Sequence, residues 1–144
     1  MKTMKITKFF LLLVFAVMIS TFLTYLFYNS YVIENIIMLD MMVKVNDHFG
    51  LNADGDAIKF GMVMPGTSSE RSITANNSAV HPLKVVILKS GYIADWVGVS
   101  ENNFILEGGE DKDVVFEVFA PEDAAFGNYS GKTKIIFKRT FFNE

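Results

Sequence analysis

Side chains suited to acid–base catalysis or metal binding are scarce in this chain of 144 residues, which contains two histidines and no cysteine. His48 precedes Phe49-Gly50 and His81 precedes Pro82, so both are expected to be polar loop residues. A two-histidine site would need the fold to bring them together with carboxylates. The lack of cysteine excludes disulfides, thiolate metal sites, a cysteine nucleophile and a lipoprotein anchor.

Motifs of nucleophilic catalysis and phosphate binding are missing as well. The sequence has no Gly-x-Ser-x-Gly elbow, and no glycine-rich loop leads from an expected strand into a helix. We can assign no catalytic, cofactor-binding or metal-binding residue. The sequence therefore predicts a protein that is not an enzyme and uses no cofactor.

Two acidic segments have some features of calcium sites. Residues 52–56 read Asn-Ala-Asp-Gly-Asp, which resembles the start of a calcium loop, but the twelfth position holds Val63 where such a loop needs glutamate. We interpret this segment as a β-turn. The second segment runs from Glu107 to Asp113 and includes Glu110 and Asp111. A solvated turn is its default interpretation, and calcium binding at the tip of a β-sandwich stays an open alternative.

Two Asn-x-Ser sequons make Asn76 and Asn128 possible glycosylation sites. Each accepts a glycan only if its segment lies outside the cell and the host has the required enzymes.

The net charge of the chain is −3, and the part after residue 50 is also mildly acidic. Because an acidic domain repels phosphate backbones, we expect no nucleic-acid partner.

The N-terminal third contains an uncharged apolar run over residues 9–28. At about 1.5 Å per residue a helix of this length spans the roughly 30 Å hydrocarbon core of a bilayer. We therefore predict a transmembrane helix over residues 9–30. Lys2, Lys5 and Lys8 precede it, whereas Glu34 and Asp40 are the first charges after it. The positive-inside rule then places residues 1–8 in the cytoplasm and the C-terminal part outside the cell membrane.

A cleaved signal peptide is the alternative interpretation of this segment. Its apolar region would normally be about 7–15 residues long and would end in a small-x-small site. Cleavage after Ser20 or Ser30 would put Met18 or Tyr28 at the position that needs a small residue. A retained single-pass anchor is therefore the preferred interpretation, and cleavage stays open.

The rest of the chain has the pattern of short β-strands separated by turns. Apolar residues alternate with others between Ile37 and Val45, so residues 31–45 are either a membrane-proximal connector or a first strand. We assign residues 46–144 to an antiparallel β-sandwich of seven or eight strands. The further expected strands cover residues 58–63, 71–75, 83–89, 93–99, 104–106, 114–120 and 129–137.

The order of several features from residue 62 onward resembles a known module. These features are Pro65-Gly66, the strand ending in Asn76, Trp96, the strand ending in Pro121, and Gly127-Asn-Tyr129. The pattern is similar to the immunoglobulin-like modules of the NEW3 and CARDB kind, found on bacterial and archaeal surface proteins. The resemblance implies an immunoglobulin-like sandwich that acts as a spacer, adhesion unit or partner-binding domain. It also implies that Trp96 lies between the sheets and that the Tyr129 hydroxyl ties a corner to its strand.

Three functional hypotheses follow from the sequence. The leading one is a non-catalytic, membrane-anchored envelope protein whose outer domain contacts other membrane or envelope proteins, with its oligomeric state open. The second is a binding module for a surface glycan or a metal ion, for which exposed Tyr92 and Phe126 beside the acidic loop would be the natural residues. The third is an enzyme or an accessory subunit of a metalloenzyme.

Overall fold

The computed structural model describes residues 2–48, 50 and 57–140, with the backbone alone for residues 2–7. Helix α1 (Lys2–Phe27) continues into one π-helical turn (Tyr28–Val32), and eight strands follow within the described residues. The strands are β1 (Ile33–Val45), β2 (Ala57–Val63), β3 (Ser68–Asn76), β4 (Leu83–Gly91), β5 (Val97–Val99), β6 (Phe104–Leu106), β7 (Asp111–Phe119) and β8 (Gly127–Arg139).

Helix α1 is exposed along residues 8–27. The apolar span Lys8–Val32, which includes the π-helical turn, has a mean hydropathy of 2.4 and is long and apolar enough to cross a membrane. The Thr21 hydroxyl donates to the Val17 and Met18 carbonyls, and Thr24 donates to the Ser20 carbonyl at 2.8 Å. These bonds within the helix are the ones expected for polar residues placed in lipid.

The strands form two sheets that pack as a sandwich. The larger sheet has the order β2-β1-β8-β4-β6 and the smaller one the order β3-β7-β5. β1 and β8 pair antiparallel along their lengths at the centre of the larger sheet, from Ile33 with Lys138 to Val45 with Gly127. We call the end of the sandwich at Ile33 and Arg139 the helix-proximal end, and the end at Val45 and Gly127 the helix-distal end.

One hydrophobic core lies between the two sheets because alternate residues of each strand point inward. The alternate positions Val114, Phe116 and Val118 of β7 are buried, as are Thr133, Ile135 and Phe137 of β8. The remaining core residues come mainly from β1, β2, β4 and β6: Met41, Val43, Val45, Ile58, Phe60, Val63, Val85, Ile87, Phe104 and Leu106.

The expectation of an all-antiparallel sandwich is wrong for one strand pair. β2 pairs with β1 in parallel, from Asp40 with Ala57 to Val45 with Val63. A parallel neighbour requires a connection of about a dozen residues, which is too long for a tight hairpin. Residues 46–56 supply such a connection. Residues 31–45 were expected to be either a connector or a first strand. They form strand β1 from Ile33 onward, directly after the π-helical turn.

The expected strand over residues 93–99 is also wrong in its first half. After Gly91, whose φ is +93°, the chain forms a 3₁₀ turn over Tyr92–Asp95, and β5 begins only at Val97. This turn places Ile93 fully in the core. Trp96, predicted to lie between the sheets, is only half-buried against the core at the helix-distal end. Its position directly after the turn keeps the indole at a corner of the sandwich.

The predicted corner at Tyr129 is confirmed. The Tyr129 hydroxyl donates a hydrogen bond to the Ala125 carbonyl at 2.7 Å. Its ring also packs against Tyr92, at 5.3 Å between centroids, and against Trp96, at 4.8 Å. Three aromatic rings therefore close the helix-distal end of the sandwich.

Candidate functional site

A charged pair between the first and last strands lies at the helix-proximal end, where the apolar helix meets the sandwich. Nε of Arg139, the last residue of β8, donates a hydrogen bond to Glu34 Oε2 at 2.6 Å, and both side chains are about one-third exposed. The Arg139 guanidinium also lies 5.8 Å from the centre of the Tyr31 ring, and Lys138 Nζ lies 5.9 Å from that of Tyr28. Because Tyr28 and Tyr31 belong to the π-helical turn, these contacts link the base of the helix to the last strand.

The charged pair changes the acidity of both partners. The hydrogen bond from Arg139 is the main cause that holds the pKa of the Glu34 carboxyl below its ordinary value, and His81 adds to this effect. The same hydrogen bond raises the pKa of the Arg139 guanidinium. His81 Nε2 lies 3.6 Å from Glu34 Oε2, beyond hydrogen-bond distance, and this buried nitrogen has no hydrogen-bond partner among the described residues.

A groove opens between the sheets next to this pair and has a volume of about 480 Å³. Its apolar lining comes from Ile37 and Leu39 of β1, Ile73 of β3, and Ile135 and Phe137 of β8. Its polar lining consists of Glu34, Asn35, Thr74, Asn76, Asn77 and Ser78. Ile37 is 38% exposed although it lies on the inner face of β1. The groove is therefore a part of the inter-sheet space that the core leaves open.

The first half of β1 has an unpaired edge beside this groove. β8 covers one edge of β1 along its whole length, but on the other edge β2 pairs only from Asp40 onward. No other described strand pairs with residues 33–39 at that edge. The Ile36 backbone N–H donates a hydrogen bond to the side chain of its neighbour, Asn35 Oδ1, at 2.8 Å. Met38 is 68% exposed in the same segment.

The two possible glycosylation sites lie at opposite ends of the sandwich. Asn76 is exposed at the rim of the groove, where its amide nitrogen donates to Asp111 Oδ1. Asn128 is exposed near the helix-distal end of β8, opposite Lys44 of β1. A glycan on Asn76 would be attached to the same nitrogen that donates to Asp111, whereas the Asn128 side chain makes no such bond among the described residues.

The candidate metal-binding residues are dispersed. His48 Nδ1 lies 2.7 Å from Asp47 Oδ1, and His81 lies at the helix-proximal end beside Glu34. In the acidic loop, Glu110 Oε2 accepts the Glu107 backbone N–H at 2.8 Å. No group of three or more histidine or acidic residues among those described is arranged to hold a metal. The calcium-like segment 52–56 lies outside the described residues.

The arrangement expected for a ligand-binding module does not form. Tyr92 and Phe126 are 69% and 65% exposed, but both belong to the helix-distal end. The acidic loop from Glu107 to Asp113 connects β6 to β7 at the other end, where Asp111 pairs with Asn76. The fold therefore separates these aromatic rings from the acidic loop.

Sequence reasoning missed the buried amide of Asn77, which organises the helix-proximal loops. Asn77 Nδ2 donates to the carbonyls of His81, Leu106 and Glu107 at 2.9–3.0 Å, and Asn77 Oδ1 accepts the Ala79 N–H at 3.0 Å. The side chain is fully buried. The one signal in the sequence was an asparagine directly after a strand and before a turn, where its side chain can bond the backbone.

Comparison with protein-family models, with curated proteins and with solved structures finds no match for this chain. The function is therefore inferred from the geometry of the helix-proximal end.

Proposed function

We propose that this protein is a non-catalytic, single-pass membrane protein whose extracytoplasmic domain binds other membrane or envelope proteins. The exposed apolar span of α1 supports the anchor, since 25 uncovered residues of this hydropathy are stable only in an apolar environment. The lysines at positions 2, 5 and 8 support a cytoplasmic N-terminus. Tyr25, Tyr28 and Tyr31 are exposed at the end of the span, where interfacial aromatic residues belong.

The observation that carries the protein-binding proposal is the unpaired edge of β1. An uncovered edge presents free backbone donors and acceptors, and native proteins usually protect it with lysine, proline or a covering segment. Residues 33–39 contain neither lysine nor proline. An extended segment of a partner could add to this edge and place its side chains in the adjacent groove, as in β-strand addition.

The domain is proposed to be an immunoglobulin-like module of the NEW3 or CARDB kind. The Tyr129 corner and the two packed sheets support this assignment. The parallel β1–β2 pair is a departure from the simple pattern. Modules of this kind serve as spacers, adhesion units or partner-binding domains, so the class is compatible with the proposed role but does not specify it.

Charge placed at the β1 edge tests the proposal. The Met38→Lys variant of the full-length protein should lose its co-purifying membrane or envelope partner in detergent, because an edge lysine opposes strand addition. Ile105→Lys is the matched control: Ile105 is 43% exposed on β6, the opposite edge strand of the same sheet. Equal retention of the partner by both variants, or no co-purifying partner for the unmodified protein, would contradict the proposal.

A further inference from the structure

The outer face of the larger sheet is basic. On β1 from Ile36 onward, and on β4 and β8, the outward positions include five lysines and one aspartate: Lys44, Lys84, Lys132, Lys134, Lys138 and Asp40. Lys132 Nζ is 4.0 Å from Asp40 Oδ1, at the limit of an ion pair. We call this surface the basic face.

The basic face also has an apolar centre. Ile36, Ile136 and Val86 lie side by side in register across β1, β8 and β4. In the next row, Met38 and Leu88 flank Lys134 and are 68% and 51% exposed. This surface therefore combines positive charge with exposed aliphatic side chains.

The outer face of the smaller sheet is acidic. The outward positions of β3, β5 and β7 carry four exposed carboxylates and no lysine or arginine: Glu70, Asp111, Asp113 and Glu117. Glu70 lies directly opposite Glu117, and like charges in that arrangement destabilise a sheet. Phe119 is 51% exposed on the same side. We call this surface the acidic face.

We propose that the basic face of one copy docks on the acidic face of a second copy of this chain. The two faces carry net charges of +4 and −4 at the positions named, lie on opposite sides of one two-layer domain, and each include exposed apolar side chains. A neighbour's lysines would relieve the repulsion between Glu70 and Glu117. This inference rests on the proposed function and specifies one partner for it.

The anchor helix favours this mode of association. In every copy α1 leaves from the helix-proximal end, whereas the two charged faces are the broad sides of the sandwich. Copies in one membrane can therefore meet side to side with all anchors at the same end. Because each contact uses different faces of the two copies, it leaves one free face on each, so the association extends into a row or closes into a ring.

Neutralising either face of the full-length protein in detergent micelles tests the contact by analytical ultracentrifugation. One variant brings the acidic face to zero net charge at the positions named (Glu70→Lys with Glu117→Lys), and another does the same for the basic face (Lys132→Glu with Lys134→Glu). Each alone should weaken self-association by about ten-fold or more, since a neutral face no longer attracts the charged one. An equimolar mixture of the two variants should form a one-to-one complex, because the intact basic face of the first variant meets the intact acidic face of the second.

The matched control is Glu122→Lys with Asp123→Lys, which makes the same change of net charge as the acidic-face variant but in the turn between β7 and β8. It should associate like the unmodified protein. The unmodified protein should dissociate as the salt concentration rises from about 0.1 M to about 1 M, where the screening length falls from roughly 10 Å to 3 Å. A monomeric unmodified protein at low salt, a mixture that fails to reassociate, or a control as defective as the face variants would overturn the proposal.

Failure of this contact is distinguishable from failure of the proposed function. Self-association is measured on the purified chain alone. Binding of a different protein is measured by capture with the two face variants, which leave the backbone edge of β1 unchanged, because Met38 lies on the basic face as well as on that edge. Loss of self-association in the face variants with retained capture of a different membrane protein supports two separate surfaces.

Discussion

Arg139 donates a hydrogen bond to Glu34 at 2.6 Å and so joins the last strand to the first strand across 105 positions of the sequence. The pair lies where the apolar helix meets the sandwich, beside the groove and the unpaired edge of β1. It therefore stabilises the part of the domain on which the proposed function depends.

Acid should weaken this junction. Because Arg139 lowers the pKa of Glu34 in the folded protein, the folded carboxyl binds a proton less readily than the unfolded one. The stabilisation is therefore present above the ordinary pKa of about 4.5 and is lost as the pH falls through the lower folded value. We expect thermal unfolding in detergent to show that acidification lowers the stability of the unmodified full-length protein more steeply than the stability of the Glu34→Gln variant.

Glu122→Gln is the control for this measurement, since Glu122 is an exposed residue in the turn between β7 and β8. It should keep the pH dependence of the unmodified protein. If Glu34→Gln follows the same pH dependence as well, the pair does not stabilise the folded state.

Removing the buried amide should destabilise the helix-proximal loops. Asn77→Ala leaves the Leu106 carbonyl and the Ala79 N–H without their partner, and buried unsatisfied groups cost about 1–3 kcal/mol each. We expect the free energy of unfolding to fall by about 2–4 kcal/mol in chemical denaturation. The exposed neighbour Asn76 supplies the control, because Asn76→Ala should change the free energy of unfolding by less than about 1 kcal/mol. Equal effects of the two substitutions would mean that the Asn77 network is not stabilising.

The core at the turn after β4 should depend more on Ile93 than on Trp96. Ile93 is fully buried, so Ile93→Ala should cost about 2–5 kcal/mol of unfolding free energy. Trp96 is only half-buried, so Trp96→Ala should cost less than the roughly 3–5 kcal/mol typical of a buried tryptophan. Chemical denaturation of both variants decides the order, and a larger loss for Trp96→Ala would place the indole in the core.

The topology can be tested by labelling, because the chain has no cysteine of its own. Val80 is fully exposed in a loop at the helix-proximal end, so Val80→Cys should react with a membrane-impermeant maleimide in intact cells. Thr3→Cys should react only after the membrane is permeabilised, because the N-terminus is expected to be cytoplasmic. Labelling of Val80→Cys only after permeabilisation would reverse the orientation and exclude glycosylation of Asn76 and Asn128.

Local patterns in the sequence were sufficient for several elements. The uncharged run over residues 9–28 predicts a long helix because its composition alone decides the preferred solvent. Alternation assigns Val114, Phe116 and Val118 to the inner face of β7, because successive side chains in a strand point to opposite faces. The corner at Tyr129 was also predictable, since its hydroxyl bonds a carbonyl only four residues away.

Relationships between distant segments were decided only in the tertiary structure. A two-residue period assigns a face to each strand but does not say which strand is its neighbour, so the parallel β1–β2 pair was not foreseen. Glu34 and Arg139 meet only because β1 and β8 pair in one particular register. The charge of the two outer faces likewise depends on which strands share a sheet: lysines from β1, β4 and β8 are far apart in the chain and form one surface only after those strands pair.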